Sequence, residues 1–396
     1  LHPRVRRQRQ MCIRDSYYIK RENVMKRIYN YLKKDAVLTI SWVLAIVSMF
    51  FIKPDKAYAG YIDWRSLGIL WSLMIITKGY MQNGIFEKIG HALLTRTRKM
   101  WQLIAVLVGL NFFSSMIITN DVSLITFVPF AIMMLKQCGR QELMIPVVVL
   151  QTIAANLGSM LTPIGNPQNL YLYGLAGKGI GEFIMWLLPY TIASALLLVI
   201  SILLIKNKNE IICIEDTDSE AAHNTSVPRV MAYSVLFVLA LLVVARVLTW
   251  YILAAAVLIT VLLLEKNVLA KADYALLLTF IGFFIFTGNM GRVEPVAHFL
   301  AGIVNSRELE VGIITSQCIS NVPAALLLSG FTDNIKNLSI GVNIGGLGTL
   351  IASMASLISY KLYANEVPEK KGKYFAVFTV YNIIFLVVLY VFTKLI

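Results

Sequence analysis

The sequence is poor in the residues that build disulfide frameworks, zinc sites and hydrolytic centres. It has four cysteines and four histidines in 396 residues, and neither set is clustered. The cysteines show no paired spacing and no HExxH motif occurs, which argues against a disulfide framework and a zinc site. Charged residues make up only 15% of the chain, against about 25% in a typical soluble protein. The apolar segments hold no paired carboxylates, no Ser–His arrangement and no metal-ligand set, so we predict no enzyme activity, no cofactor and no resident metal.

Apolar residues are abundant instead. Hydrophobic residues make up 58% of the chain, and the mean hydropathy is +0.70. Phe183–Ile205 and Tyr374–Thr393 contain no charged residue at all. A bilayer is crossed by roughly 20 apolar residues in a helix. The composition therefore predicts an all-α, polytopic membrane protein.

Apolar segments predict about nine membrane spans and two hairpins. The spans are predicted at residues 36–52, 64–82, 142–173, 181–205, 230–248, 249–265, 273–290, 338–361 and 374–396. Residues 101–137 and 311–331 are each interrupted by a polar tripeptide, which favours a re-entrant hairpin over a single span. Residues 83–100 and 291–310 are mixed in polarity, and we expect them at the membrane interface.

Basic residues predict the orientation and help to divide the chain. The net charge is +14, with much of the excess near the start. The positive-inside rule then places the N-terminus in the cytoplasm and the C-terminus outside, and no nucleic-acid partner is expected. We interpret residues 1–16 as a non-native extension and 17–35 as a cytoplasmic basic flank. Residues 36–206 and 230–396 are interpreted as two transmembrane repeats, joined by a polar cytoplasmic linker at 207–229.

The two halves share a pattern of polar and glycine residues. "NLGSMLTPIGNPQNLYLY" (156–173) aligns with "NIGGLGTLIASMASLISY" (343–360) at a single offset of 187 (343 minus 156). Upstream of these, Thr119-Asn120-Asp121 corresponds to Ser320-Asn321-Val322. Further upstream, Asp63 and Thr77 have the same separation as Asp273 and Thr287. Polar groups inside membrane segments are costly, so their repetition favours a functional site over a duplication kept for symmetry alone.

The matched segments are suited to breaking a helix inside the membrane. Pro163 and Pro167 remove helix hydrogen bonds, and Gly158 and Gly165 permit a turn and a close approach. Helix N-termini at such a break attract anions. The freed carbonyl groups, with asparagine and threonine side chains, suit Na⁺.

Asp121 has no acidic counterpart, because Val322 occupies the matching position. Two roles are open for its carboxylate. It forms a cation or proton site that faces a cavity, or it caps a helix that begins at Val122.

Four stretches resemble the ion transporter superfamily: "TNDVSLITFVPF", "ANLGSMLTPIGNPQNLYL", "SNVPAALLLS" and "GVNIGGLGTLIASMASL". The likeness is greatest to its citrate-transporter-like and arsenite-permease-like anion permeases, which are related to the divalent anion/sodium symporters. The resemblance implies two inverted-topology repeats, each with a re-entrant hairpin and a broken transmembrane helix, in a homodimer with an elevator motion. In the symporters each hairpin tip carries Ser-Asn-Thr. Asn120 and Asn321 match that motif, whereas Asp121 and Val322 replace its threonines.

These observations predict a secondary active transporter that moves a small anion across the cytoplasmic membrane, coupled to Na⁺ or H⁺. The anion is expected to be a carboxylate or an inorganic oxyanion. Two alternatives are a sodium/proton antiporter that titrates Asp121, and an arsenite or antimonite efflux permease with an ATPase subunit as partner. The predicted binding residues are Thr119, Asn120, Asp121, Asn156, Gly158, Thr162, Gly165, Asn166, Gln168, Asn169, Ser320, Asn321, Asn343, Gly345, Gly346, Thr349, Ser353 and Ser356. Coupling Na⁺ is predicted near Asn120, Asp121, Gly165, Asn321 and Gly345.

Overall fold

The computed structural model describes residues 36–94, 97–205 and 226–396, and the secondary structure of these residues is helical. The predictions for residues 1–16 and 17–35, and for most of the 207–229 linker, lie outside the described residues. Six helices among those described are long and apolar enough to cross a membrane. The prediction of an all-α, polytopic membrane protein is confirmed.

Within the described residues, the first half contains nine α-helices. They are α1 (Ala36–Phe51), α2 (Tyr58–Tyr61), α3 (Trp64–Gln82), α4 (Ile85–Leu94), α5 (Met100–Ile118), α6 (Asn120–Gln137), α7 (Met144–Ser159), α8 (Pro167–Ala176) and α9 (Ile180–Leu204).

The second half, from residue 226 onward, also contains nine. They are α10 (Val227–Val244), α11 (Trp250–Leu264), α12 (Tyr274–Gly291), α13 (Glu294–Val304), α14 (Glu308–Ile319), α15 (Asn321–Leu328), α16 (Ile335–Ile344), α17 (Met354–Glu366) and α18 (Lys371–Thr393).

Each predicted span coincides with a helix or, in two cases, with two helices. The 142–173 segment forms α7 and α8, and the 338–361 segment forms α16 and α17, so both are interrupted where glycine and proline residues were expected to break them. The 101–137 segment forms α5 and α6, and the 311–331 segment forms α14, α15 and a short 3₁₀ turn. The chain changes direction at Thr119 and at Ser320, between the helices of each pair.

The helices pack into two groups, which are linked through α4 and α13 and also meet directly where α12 packs on α15 and α3 packs on α8. The first group comprises α1, α3, α10, α11 and α12, in which α12 packs on α1 and α3 packs on α10 and α11. The second group comprises α5–α9 and α14–α18. Both α4 and α13 have one apolar and one polar face, as expected for residues at a membrane interface.

Burial separates the central helices from the peripheral ones. Nearly every residue of α7 is buried, whereas α9 and α18 expose aliphatic side chains along most of their length, such as Leu196, Val199 and Val387. Exposed aliphatic side chains on helices of spanning length are compatible with lipid contact. The broken helix α7–α8 therefore lies inside the helix assembly, where protein groups can satisfy its backbone.

Candidate functional site

The two helix pairs turn at residues with the same unusual backbone conformation. Thr119 has φ 76° and ψ 149°, and Ser320 has φ 77° and ψ 154°. Residues other than glycine rarely adopt a positive φ with an extended ψ, and the strain costs of the order of 1–3 kcal/mol each. Two equal outliers at corresponding positions indicate that the turns are held by the same surroundings.

Those surroundings include the two helix breaks. The backbone N–H of Asn120 donates to the carbonyl of Gly165 at 3.1 Å, and that of Asn321 donates to the carbonyl of Ala352 at 2.9 Å. Gly165 and Ala352 are related by the 187-residue offset (352 minus 165). Each turn therefore contacts the break that follows it in the chain, through an equivalent hydrogen bond.

Local capping explains where the helices resume after the breaks. Asn166 is the N-cap of α8, its side chain accepts from the N–H of Asn169 at 2.9 Å, and Pro167 occupies the first turn. Proline fits there because the first N–H groups of a helix have no partner within the helix. Ser353 takes the corresponding N-cap position of α17 with an extended backbone, although its side chain makes no cap bond.

One asparagine of the first half contacts the break of the second half. Oδ1 of Asn156 accepts from Nδ2 of Asn120 at 3.2 Å and from Oγ of Ser353 at 3.0 Å. Nδ2 of Asn156 donates to Oγ of Ser356 at 3.4 Å and to the carbonyl of Gly346 at 3.5 Å. Asn156 thus joins the first turn to the second break.

The corresponding asparagine of the second half makes the reciprocal contacts. Nδ2 of Asn343 donates to Oδ1 of Asn169 at 2.6 Å, and Nδ2 of Asn166 donates to Oδ1 of Asn343 at 3.1 Å. The offset relates Asn166 to Ser353 and Asn169 to Ser356. Each half therefore places one asparagine side chain between the N-cap residue of the other half's broken helix and the residue three positions after that N-cap. The side chains around Asn156, including Asn120, and those around Asn343 form two buried polar clusters. Ser159 connects them, because its Oγ accepts from Nδ2 of Asn166 at 3.2 Å and donates to the carbonyl of Asn156 at 2.9 Å. We call the two connected clusters the asparagine network.

Several predicted residues support this network and do not belong to it. The hydroxyl of Thr162 donates to the carbonyl of Met116, and that of Thr349 donates to the carbonyl of Gln317 at 3.3 Å. These bonds connect each break to the helix that precedes its turn. The four predicted glycines lie where a Cβ would come within 3 Å of neighbouring atoms, namely Gly158, Gly165, Gly345 and Gly346.

Asp121 does not cap a helix. The N-cap residue of α6 is Thr119, α6 begins at Asn120, and no side-chain cap bond is formed. The prediction of a helix starting at Val122 with Asp121 as its cap is therefore wrong, because the strained backbone at Thr119 lets the helix begin earlier. Asp121 is partly buried and lies within electrostatic range of Lys78 and Asp273.

Gln168 occupies the second position of α8 and is 1% exposed. Neither its Nε2 nor its Oε1 has a hydrogen-bond partner within the part of the chain that the structure describes. The flanking Asn166 and Asn169 are both engaged in the asparagine network, so Gln168 differs from its neighbours.

Sequence reasoning missed several polar residues that hold the turns. Nε2 of Gln317 donates to the carbonyls of Gly345 at 2.8 Å and Leu347 at 2.9 Å, while its Oε1 accepts from the N–H of Thr349. In the first pair, Oγ of Ser123 donates to Oδ1 of Asn111 at 3.0 Å. Like the predicted residues, these are polar side chains within apolar segments, and the sequence could have indicated them in the same way.

The site consists mainly of amide, hydroxyl and carbonyl groups with four helix N-termini nearby, those of α6, α8, α15 and α17. Within the described ranges, no group of three or more His, Cys, Asp or Glu residues is placed to hold a metal ion. Of the predicted Na⁺ ligands, the carbonyl of Gly165 is bonded to Asn120, and that of Gly345 to Gln317. Amide and hydroxyl groups of this kind are both donors and acceptors, which is the chemistry needed to hydrogen-bond a small polar solute.

Comparisons with known proteins identify a family and several relatives. A citrate transporter family model matches residues 25–336. An uncharacterized transporter of Methanocaldococcus jannaschii is 31% identical over 361 residues, covering 91% of this chain and 97% of that protein. The inner membrane protein YbiR of Escherichia coli is 29% identical over 343 residues, covering 82% of this chain and 87% of its own length.

A third relative matches only in part. The silicon efflux transporter LSI3 of Oryza sativa subsp. japonica is 31% identical over 143 residues, which is 36% of this chain and 29% of that protein. The family match and the two long alignments extend across both turns and the first break. The chain belongs to the citrate transporter family and is a multi-pass membrane transporter, not an enzyme.

Proposed function

We propose that the protein is a secondary active transporter that moves a small carboxylate or inorganic oxyanion across the cytoplasmic membrane, coupled to Na⁺ or H⁺. The observation that carries this proposal is the asparagine network, in which Asn156 and Asn343 cross reciprocally between two broken helices. Buried polar networks in membrane proteins mark substrate and ion pathways. A purely structural role would not require the helices to be broken at that depth.

The chemistry of the network suits an anion with a cation beside it. The hydrogen bonds of Asn120 and Asn321 bring the N-termini of α6 and α15 against the breaks from which α8 and α17 start. Helix N-termini present positive partial charge and favour anions. Amide oxygens and the carbonyls of the breaks favour Na⁺ in the same place.

The packing of the two helix groups supports an elevator motion between inverted repeats. On the second half, α12 packs on α15, and the hydroxyl of Thr287 donates to the carbonyl of Leu326 at 3.4 Å. At the corresponding interface of the first half, between α3 and α6, lies a largely apolar cavity of about 850 Å³, lined by Tyr80 and Phe127 and also by Phe237 of α10. The interface between α12 and α15 is thus packed, whereas the corresponding interface of the first half contains a cavity. Such an asymmetry is what a rigid shift of the second helix group against the first would produce.

The wider expectations from the resemblance belong to the same proposal. α5–α6 and α14–α15 act as re-entrant hairpins, the N-terminus faces the cytoplasm, the C-terminus faces outward, and two copies assemble through the first helix group.

The test uses purified protein and its melting temperature. Citrate, succinate, sulfate, phosphate and arsenite are each added with Na⁺ or K⁺, and the anions that stabilise the protein are then followed in uptake by proteoliposomes. A ligand at about 100 times its Kd stabilises the folded state by about 2.7 kcal/mol. We expect an Na⁺- or pH-dependent anion shift that Asn120→Ala and Asn321→Ala abolish. Asn267→Ala, at an exposed position, is the matched control. Wild-type uptake by either site variant would refute the proposed site.

Two other functions are favoured by specific observations. Asp121, near Lys78 and Asp273, favours a sodium/proton antiporter, which predicts a melting shift with Na⁺ alone that Asp121→Asn removes.

The similarity to a silicon efflux transporter and to a putative transporter named arsB of Dictyostelium discoideum favours efflux of a hydroxylated inorganic acid. Efflux predicts export of arsenite, antimonite or silicate from loaded vesicles; an arsenite pump would also require an ATPase subunit.

A further inference from the structure

Gln168 is a buried side chain whose hydrogen-bonding groups the fold leaves unused. It is 1% exposed, and both polar atoms of its carboxamide lack partners among the described residues. A buried donor or acceptor without a partner destabilises a fold, because its hydrogen bonds to water are lost and not replaced. Most buried side-chain amides in proteins are satisfied, so this glutamine calls for an explanation.

The fold does not require a glutamine at this place. The 187-residue offset matches Gln168 with Ala355, the second residue of α17. Ala355 is fully buried at the corresponding position. A small apolar side chain therefore suits this point of the architecture, and the glutamine in the first half is an addition to it.

Gln168 lies on the face of α8 that packs on α15. Residues three apart lie on one face of a helix, and Tyr171, three residues on, shares a hydrogen bond of 3.0 Å with Ser329 at the far end of α15. Helix α8 packs along α15, which begins at Asn321. Gln168 therefore lies in the first turn of α8, on the same face as Tyr171, which is the face toward α15.

We propose that Gln168 determines substrate specificity by binding a hydroxyl group of the transported anion. This inference rests on the proposed transport function. A carboxamide presents a donor and an acceptor side by side. A fully ionised carboxylate or sulfate satisfies Nε2 but leaves Oε1 buried without a donor, whereas a hydroxyl group satisfies Oε1 as well. The site is thus expected to prefer hydroxylated or partly protonated anions over analogues that lack the hydroxyl, because an unpaired polar group in the site opposes their binding.

The test compares malate with succinate, which differ by one hydroxyl group, and hydrogen phosphate with sulfate. Binding is measured with the full chain by melting shift and by calorimetry, and we expect the hydroxylated member of at least one pair to bind about tenfold more tightly, roughly the worth of one hydrogen bond. Gln168→Met keeps the length of the side chain but removes both polar atoms, and Gln168→Ala reproduces the residue of the second half. Both variants should remove the preference for the hydroxylated anion. The exposed Gln141→Met is the matched control and should retain it.

Stability without ligand separates this role from a structural one. Because no protein hydrogen bond is lost, Gln168→Met should melt at the wild-type temperature or above it, whereas a structural glutamine would lower it. A lowered melting temperature in both Gln168 variants, or an unchanged anion preference, would overturn the inference. If Asn120→Ala abolishes anion binding while Gln168→Met leaves the preference intact, this inference fails alone. If no anion binds to the wild-type protein, the proposed function fails with it.

Discussion

Replacing Gly158 with alanine introduces a methyl group where α5 and α7 touch. A Cβ at this position would lie 2.1 Å from the carbonyl oxygen of Phe112 and 2.7 Å from Oγ of Ser115. The first of these atoms belongs to the backbone of α5, so no side-chain rotation relieves the contact. The corresponding Gly345 shows the same relation to the second helix pair, with Oγ of Ser316 at 2.8 Å and Cα of Ile313 at 2.9 Å.

The expected cost follows from this geometry. Ordinary contacts of a Cβ begin near 3.4 Å, so α5 and α7 must move apart by about 1 Å. Overpacking of a dense interior costs typically 1–3 kcal/mol, and more when backbone has to move. We therefore expect Gly158→Ala to lose about 3 kcal/mol and Gly345→Ala somewhat less. A control is available on α5 itself, because a Cβ at Gly109 meets nothing within 4 Å. Gly109→Ala should gain about 0.5–1 kcal/mol from helix preference.

The assay is the melting temperature of the purified proteins in one detergent, with elution as a single species as the control for folding. Gly158→Ala should melt well below the wild type and Gly109→Ala at or above it. Anion binding should weaken in Gly158→Ala, because Asn156 lies two residues away on α7 and would move from Asn120. A Gly158→Ala protein that melts as high as Gly109→Ala would refute the packing of α5 on α7.

Two further predictions address the network and the solvent-exposed face. Asn343→Ala removes the donor to the buried Oδ1 of Asn169 and one of the two acceptors of Asn166 Nδ2, so we expect a loss of about 1–3 kcal/mol and of anion binding, and a wild-type melting temperature would contradict the reciprocal bonds. Outside the membrane segments, the hydrogen bond from Arg292 at 2.8 Å lowers the pKa of Asp55. The ionised Asp55 carboxylate therefore contributes to stability at pH values above its ordinary pKa. This contribution is lost as the pH falls through the lowered pKa. Asp55→Asn should lower the melting temperature slightly at about pH 7 and less at about pH 3, since exposed pairs contribute little; an equal deficit at both pH values would exclude this ion pair as the cause.

The helices and the residue types of the site could be predicted from the sequence. Long apolar runs with few charges have only one stable arrangement in a bilayer, namely helices, because every backbone group must be bonded internally. Polar residues and glycines that recur at one offset within such runs mark the positions where that rule is relaxed. Asn156 and Asn343 were found in this way, and the structure places both in the network.

The roles of individual residues could not be assigned so well. Thr162 and Thr349 matched the repeated pattern, yet each donates to a carbonyl of the neighbouring helix. Aspartate is a residue type that often caps helices, but α6 begins before Asp121, directly after the strained turn at Thr119. Spacing along the chain does not reveal which backbone group is left unpaired nearby, and that decides what a side chain will bond.

The sequence alone thus determined that the chain is a helical membrane protein with two halves built on one pattern, since hydropathy and residue spacing act over a few turns of helix. Only the tertiary structure decided that Asn156 meets Ser353 while Asn343 meets Asn166. These contacts join residues nearly two hundred positions apart, and they form because α7 packs on α17 while α8 packs on α16. The same packing left the amide of Gln168 without a partner, a property that no local pattern encodes.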